Sequence, residues 1–149
     1  MTTAPTRTSI RAQAVSRLTD QVPAVSGRVF PSRVLPLPAD AADGGTALLP
    51  CLLVYADRQT RDARADGAFD VTATLFVVVR VERQTEAQVE TDLDTLSAAV
   101  ETALLTDTTL TGAVTAILRG EIARQVDGSA ERIAGADVHQ YQIRWTEVV

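Results

Sequence analysis

Hydrophobic and polar residues alternate with a period of two from Phe69 to Glu82. Such a period predicts a β-strand with one buried face. The apolar positions are Phe69, Val71, Ala73, Leu75, Val77, Val79 and Val81. Because these fourteen residues would extend roughly 46 Å at about 3.3 Å each, we expect the strand to bend or to project beyond a domain of this chain length. On the opposite face Phe76 and Val78 are also apolar, which predicts that a helix or a neighbouring chain covers them.

A helical period follows the strand. Thr85 and Gln88 form a T-x-x-Q capping box, which predicts a helix over residues 85–105. Its apolar stripe consists of Val89, Leu93, Leu96, Val100 and Leu104. Its other face is acidic and predicts a solvated surface; the acids are Glu86, Glu90, Asp92, Asp94 and Glu101.

A second helix is predicted near the start of the chain, from Thr8 to Asp20. Its stripe consists of Ile10, Ala14, Val15 and Leu18. Further strands are predicted at 27–30, 47–59, 113–126 and 137–149. In the third of these, one face is expected to hold Val114, Ala116, Leu118, Ile122 and Val126. In the last, one face is expected to hold Tyr141, Ile143 and Trp145, and the other Gln142, Arg144 and Thr146.

The order of these elements predicts a single α+β domain over residues 1–149. We expect a mostly antiparallel, mixed sheet of four to five strands, with two helices on one face and one very long strand. Residues 1–7 are expected to form a flexible tail. Prolines, a Gly-Gly pair and dense charge predict mobile loops at 31–47 and 57–68.

Composition narrows the possible functions. A net charge of −5 argues against a sequence-specific nucleic-acid groove, which needs an excess of cations. The 14 basic residues are all arginine, so neither a P-loop lysine nor a Schiff-base lysine is present. Arginine favours forked pairing with carboxylates, although codon bias would give the same composition. The longest apolar run, Ala47–Ala56, is too short to span a membrane.

Candidate catalytic groups are few. Cys51 lies within the apolar sequence LLPCLLVY and is expected to be a buried, inert thiol. His139 is the sole histidine and is expected to have a structural, hydrogen-bonded role. We therefore expect no enzyme activity, no cofactor and no metal, although DARADG at 62–67 leaves a weak surface cation site open.

The segment before the long strand is densely charged. Between Asp57 and Gly67 the charges of both signs are interspersed, and we predict that this loop docks on another subunit. Its charged candidates are Asp57, Arg58, Arg61, Asp62, Arg64 and Asp66, and Phe76 and Val78 complete the predicted contact set. A solvated hairpin loop is the alternative interpretation.

Four segments in succession carry a resemblance to a known family. They are VSGRVFPSRVLPLP with ALLPCLLVYADRQ, then the charged loop and long strand, then TEAQVETDLDTLSAAVETALL, and then a final strand rich in alternation. With this order of segments, the chain resembles the tail terminator (tail-completion, minor tail protein U-like) proteins of long-tailed phages over residues 8–149. The resemblance implies a small α+β subunit that forms a hexameric ring on the finished tail tube, ends its polymerisation and provides the head-joining surface.

The resemblance also implies the partners. They are other copies of the chain, the tail-tube protein and a head–tail connector or completion protein, with the lumen as a passage for DNA and no membrane. The protein would be assembled in the bacterial host cytoplasm and reside in the virion tail. Two alternatives remain: a tail-tube or connector subunit, and a small ligand-binding domain or enzyme. Replacing Cys51 or His139 by alanine is expected to leave assembly intact.

Overall fold

A five-stranded sheet forms the framework of the computed structural model, which describes residues 6–34, 49–110, 114–128 and 132–148. The elements are α1 (Arg7–Gln21), β1 (Val29–Phe30), β2 (Cys51–Ala63), β3 (Ala68–Arg83), α2 (Glu86–Leu105), β4 (Ala116–Gly128) and β5 (Ile133–Val148), with a short 3₁₀ turn at Pro23–Val25. The strand order is β1-β2-β3-β5-β4, in which β1 and β2 are parallel and all other neighbours antiparallel. The predicted α+β domain with a mixed sheet is therefore confirmed.

The hydrophobic core lies between the two helices and one face of the sheet. On β3 that face is formed by the odd-numbered residues, and Leu75 and Val77 are fully buried. Helix α1 contributes Ile10, Ala14 and Leu18, and α2 contributes the whole predicted stripe. The periods of two and 3.6 thus identified the buried faces. The prediction of one very long strand was incomplete, because β5 has 16 residues, as many as β3.

Both helices begin at hydrogen-bonded caps. The Thr85 hydroxyl accepts a hydrogen bond from the Gln88 amide, which is one half of the predicted capping box. Helix α1 begins at a capping box, in which Thr6 and Ser9 each accept a bond from the other's backbone amide. Helix α1 therefore starts at Arg7, so the prediction of a flexible tail over 1–7 was wrong for this residue; residues 1–5 lie outside the described ranges.

The predicted loop over 57–68 is largely strand. Strand β2 continues to Ala63 and pairs with β3, which leaves only residues 64–67 as the turn. Regular pairing is interrupted once, by a bulge between Asp57 and Thr60, where Arg58 has a φ of 55°. Dense charge suggested a loop, but residues 60–63 of β2 are all exposed, so charged side chains are tolerated along this part of the strand. Of the other predicted loop, 31–47, all but 31–34 lies outside the described ranges.

Strand β4 buries the opposite residues from those predicted over its first half. Ile117 is buried and Leu118 is 40% exposed. A bulge between Arg119 and Ile122 then shifts the register by one residue. Because one extra residue exchanges the two faces of a strand, the strict alternation assumed across 113–126 was wrong. Within the described residues, no helix is long and apolar enough to cross a membrane.

Candidate functional site

A buried chain of polar side chains connects α2 to strands β4 and β5. Asp137 and His139 are fully buried, and Ser97 on α2 is nearly so. The His139 ring lies between two hydroxyls, with Nδ1 3.0 Å from Tyr141 Oη and Nε2 2.9 Å from Ser97 Oγ. The Ser97 hydroxyl lies 2.6 Å from Asp137 Oδ2. This relay consists of Tyr141, His139, Ser97 and Asp137, and its acidic end is held by Arg124.

Arg124 anchors the relay to β4. Its Nε donates to Asp137 Oδ1 at 2.7 Å, and its Nη2 donates to Asp137 Oδ2 at 2.9 Å. The same Nη2 also donates to Asp94 Oδ1 on α2 at 2.8 Å. One guanidinium therefore joins the edge strand, the neighbouring strand and the helix.

The pKa values follow from burial and pairing. Burial raises the pKa of Asp137, but the hydrogen bonds from Arg124 and Ser97 outweigh it and leave the carboxyl with a lowered pKa. Burial lowers the pKa of His139 and raises that of Tyr141. Near neutral pH the relay therefore contains a carboxylate, a neutral imidazole and a neutral phenol.

These protonation states fix the direction of every hydrogen bond. The Asp137 carboxylate can only accept, so the Ser97 hydroxyl donates to it. Ser97 Oγ then accepts from His139 Nε2, and His139 Nδ1 accepts from the Tyr141 hydroxyl. In a nucleophilic triad the serine instead donates to histidine, and histidine donates to the acid. The residues are those of a triad, but this order gives Ser97 no general base, which favours a structural role.

The relay predicts a specific dependence of stability on pH. With a lowered pKa in the folded state, His139 stabilises the fold above its unfolded value of 6.5. That contribution is lost as the pH falls from about 6.5 toward the folded pKa, at up to about 1.4 kcal/mol per pH unit. The paired carboxylates lose their contribution at lower pH, because their pKa values are lowered from about 4.

Urea unfolding at a series of pH values tests this expectation. Because the chain has one histidine, His139→Gln should flatten the free energy of unfolding between about pH 7 and pH 5, even though the variant is less stable throughout. The acid-induced loss below about pH 4.5 should remain in both proteins and serves as the internal control. An unchanged slope in the variant would show that His139 does not titrate as proposed.

Cys51 fits its predicted inert role. Its side chain is fully buried, and burial raises the pKa of the thiol to about 11, so the reactive thiolate is scarce near neutral pH. Among the described residues, no group of three or more His, Cys, Asp or Glu side chains could hold a metal ion.

The predicted docking charges lie along the β2–β3 hairpin, and most are paired within the chain. Four of them have partners: Asp57 pairs with Arg33 at 2.7 Å, Arg61 with Glu147 at 3.0 Å, and Arg64 with the candidate Asp66 at 3.2 Å and with Asp70 at 3.5 Å. Among the described residues, Arg58 and Asp62 have no ion-pair partner. The sequence predicted the six charged residues as one docking set, whereas the structure distinguishes the unpaired Arg58 and Asp62 from the four that are paired.

Phe76 and Val78 lie on the sheet face opposite the helices. Tyr55 stacks on Phe76 with ring centroids 4.8 Å apart, and the guanidinium of Arg58 lies 5.8 Å from the Phe76 centroid. Beside them a groove of about 320 Å³ is lined by residues that include Leu53, Val78, Arg80 and Val138. Phe76 is only 7% exposed and Leu53 only 2%, so the apolar side chains at the centre of this face are already largely buried within the chain. We call this side of the sheet the open sheet face because, in the described ranges, both α-helices pack on the other side.

Sequence reasoning missed the relay, although a signal for it was present. Asp137 and His139 continue the alternation of Tyr141, Ile143 and Trp145 toward the start of β5, which places both on the buried face. It also missed that strand arginines pair with the acidic face of α2. Those pairs are Arg83–Asp92, Arg119–Glu101 and Arg124–Asp94, so that face is only partly a solvated acidic surface.

The sequence matches no family model and no curated protein. Among solved structures, a chain from the "Virion of native gene transfer agent (GTA) particle" is similar over 91% of this chain and 94% of its own length, with 11% sequence identity and a TM-score of 0.44. A likeness at this level carries no argument about function.

Proposed function

We propose that the chain is a structural subunit of a phage-like virion, and that its copies form a ring, hexameric as in the tail terminator family. This ring would cap the tail tube, end its polymerisation and provide the surface that joins the head. The proposal extends the sequence resemblance over residues 8–149. It places the protein in the virion tail after assembly in the bacterial host cytoplasm.

The observation that carries the proposal is the open sheet face together with the charged hairpin beside it. In the described ranges no α-helix covers this face, and Arg58 on it is exposed and has no ion pair there. Arginine is enriched in protein–protein interfaces. The hairpin carries interspersed charges of both signs, which suits a contact between two different surfaces of the same protein, as in a ring. These features serve assembly, whereas the relay lacks the proton order of a nucleophilic site.

Reversing the hairpin charges tests the proposal. We expect the triple variant Arg58→Glu, Arg61→Glu, Arg64→Glu to fold but to yield few correctly terminated, head-joined tails. All three side chains are exposed, and exposed ion pairs contribute about 1 kcal/mol or less each. Like charges forced together at a contact cost several kcal/mol.

Two measurements on the same variant separate folding from docking. Thermal unfolding should shift by only a few degrees, which corresponds to roughly 1–2 kcal/mol for a chain of this size. The yield of infectious, head-joined particles should fall sharply. Normal tails from a fully reversed hairpin would leave this segment as a solvated hairpin.

A tail-tube or connector subunit is the second candidate, because the open sheet face and the long exposed edge strand β4 would also suit a polymer. The proposal assigns no catalytic role to any residue. Accordingly, Cys51→Ala should leave assembly intact, and loss of assembly in a folded Cys51→Ala protein would favour the enzyme or ligand-binding alternative.

A further inference from the structure

We propose that the open sheet face of one copy binds the exposed acidic side of helix α2 of the next copy, with Arg58 as the central cation. This inference rests on the proposed ring and names the two surfaces that would form its contact. Surface A is the open sheet face around Arg58, Phe76 and Arg80. Surface B is the first two turns of α2 around Glu86 and Glu90.

Arg58 is held in a strained and specific position. Its φ of 55° is unusual for a residue other than glycine, and it lies in the bulge of β2. A backbone outlier of this kind costs free energy, and such outliers cluster at binding sites. The adjacent Asp57 carboxylate accepts from the Arg58 amide at 2.8 Å and so stabilises the bulge. The bulge directs the guanidinium over the Phe76 ring.

This cation lacks a counter-ion in the described part of the chain. Arg33 is also stacked on an aromatic ring, 4.6 Å from the Tyr55 centroid, but it pairs with Asp57. Arg58 lies over the Phe76 ring, and neither Arg58 nor Arg80, farther along the same face, has an ion pair among the described residues. An arginine stacked on an aromatic ring has its donors available for a carboxylate.

Surface B carries unpaired negative charge. Glu86 and Glu90 are exposed and four residues apart on α2, and neither has an ion pair in the described ranges. Like charges at this spacing destabilise a helix. Asp92 and Asp94 on the same helix are neutralised by Arg83 and Arg124. An arginine from a neighbouring copy would relieve the remaining repulsion.

The two surfaces lie on opposite sides of the subunit, because α2 packs on the sheet face that Arg58 does not share. A contact between A and B is therefore head-to-tail, and each copy offers one of each. Contacts of this kind form a closed ring when the rotation between copies closes.

Mixing two charge-reversed proteins tests the contact directly. Arg58→Glu places a carboxylate opposite Glu90 of the next copy, and Glu90→Arg places a guanidinium opposite Arg58 of the next copy. Each protein alone should associate about tenfold or more weakly than the wild type, because every contact joins like charges. A one-to-one mixture should recover association, since alternating copies restore opposite charges at every contact.

The matched control is Arg64→Glu, which reverses an exposed arginine on the same hairpin that is already paired within the chain. Alone it should associate like the wild type, and mixed with the Glu90→Arg protein it should give no more association than an equal amount of wild type gives. Analytical ultracentrifugation measures association. If the wild type is monomeric alone, the same mixtures are compared by the yield of ring-capped tails.

The outcomes separate the two proposals. Recovery in the mixture without any capping of tails supports the A–B contact and overturns the tail function. Capped tails without recovery in the mixture, or without an effect of Arg58→Glu, support the function and overturn the contact. A protein that is monomeric alone and absent from tails overturns both.

Discussion

Arg124→Ala should lower the free energy of unfolding by about 3 kcal/mol. The substitution leaves the Asp137 carboxylate, 1% exposed, without the two hydrogen bonds from the guanidinium. Breaking a buried ion pair by removing one partner typically costs about 3–5 kcal/mol. We expect the lower end of that range because the Arg124 side chain is itself 33% exposed. For a chain of this length the melting temperature should fall by roughly 6–12 °C.

Arg83→Ala is the matched control for this experiment. It removes another arginine that pairs with an acid of α2, but both partners, Arg83 and Asp92, are substantially exposed. Its cost should be within about 1 kcal/mol. Equal shifts in the two variants would show that Arg124 is an ordinary surface pair and that the relay is not a stabilising unit.

Leu75→Ala should also be strongly destabilising, by about 2–5 kcal/mol. Leu75 is fully buried in the middle of β3, within the core shared by both helices. Removing its side chain leaves a cavity that surrounding strands cannot easily fill, because β3 is paired on both sides. Chemical denaturation with an unchanged m-value would establish a loss of stability in a protein that still unfolds in one step.

Leu96→Ala provides the comparison and should cost less than Leu75→Ala. Leu96 is 5% exposed and lines a groove of about 260 Å³ beside Val81 and Pro50. Water can enter that site, and neighbouring side chains can relax into it, so the cavity penalty is smaller. A larger loss at Leu96 would contradict this account of the core.

The sequence predicted the elements whose patterns are long and regular. The alternation in β3 and the stripe of α2 each continue over many residues, so their buried faces could be identified without knowledge of the fold. The final strand was predicted for the same reason, but the residues of its apolar face were identified only from Tyr141 onward. The two polar residues before it, Asp137 and His139, were not recognised as buried, because polar side chains on an inward face require partners from elsewhere in the chain.

The features that were missed depend on tertiary pairing. The bulge at Arg58 and the bulge after Arg119 change which face each following residue occupies, and no short pattern marks their positions. The partners of the α2 acids come from β3 and β4, far away in sequence. For the same reason the candidate docking set could not be divided by sequence alone: Arg61 and Arg64 are paired in the fold, whereas Arg58 has no ion pair in the described ranges.

Electron microscopy of tails assembled with and without this protein tests the central claim most directly. We predict that tails made with it have uniform length and a single closed ring at one end, and that tails made without it continue to grow and do not join heads. Long filaments formed by the purified protein alone, or tails of normal length and head joining in its absence, would contradict a terminator role.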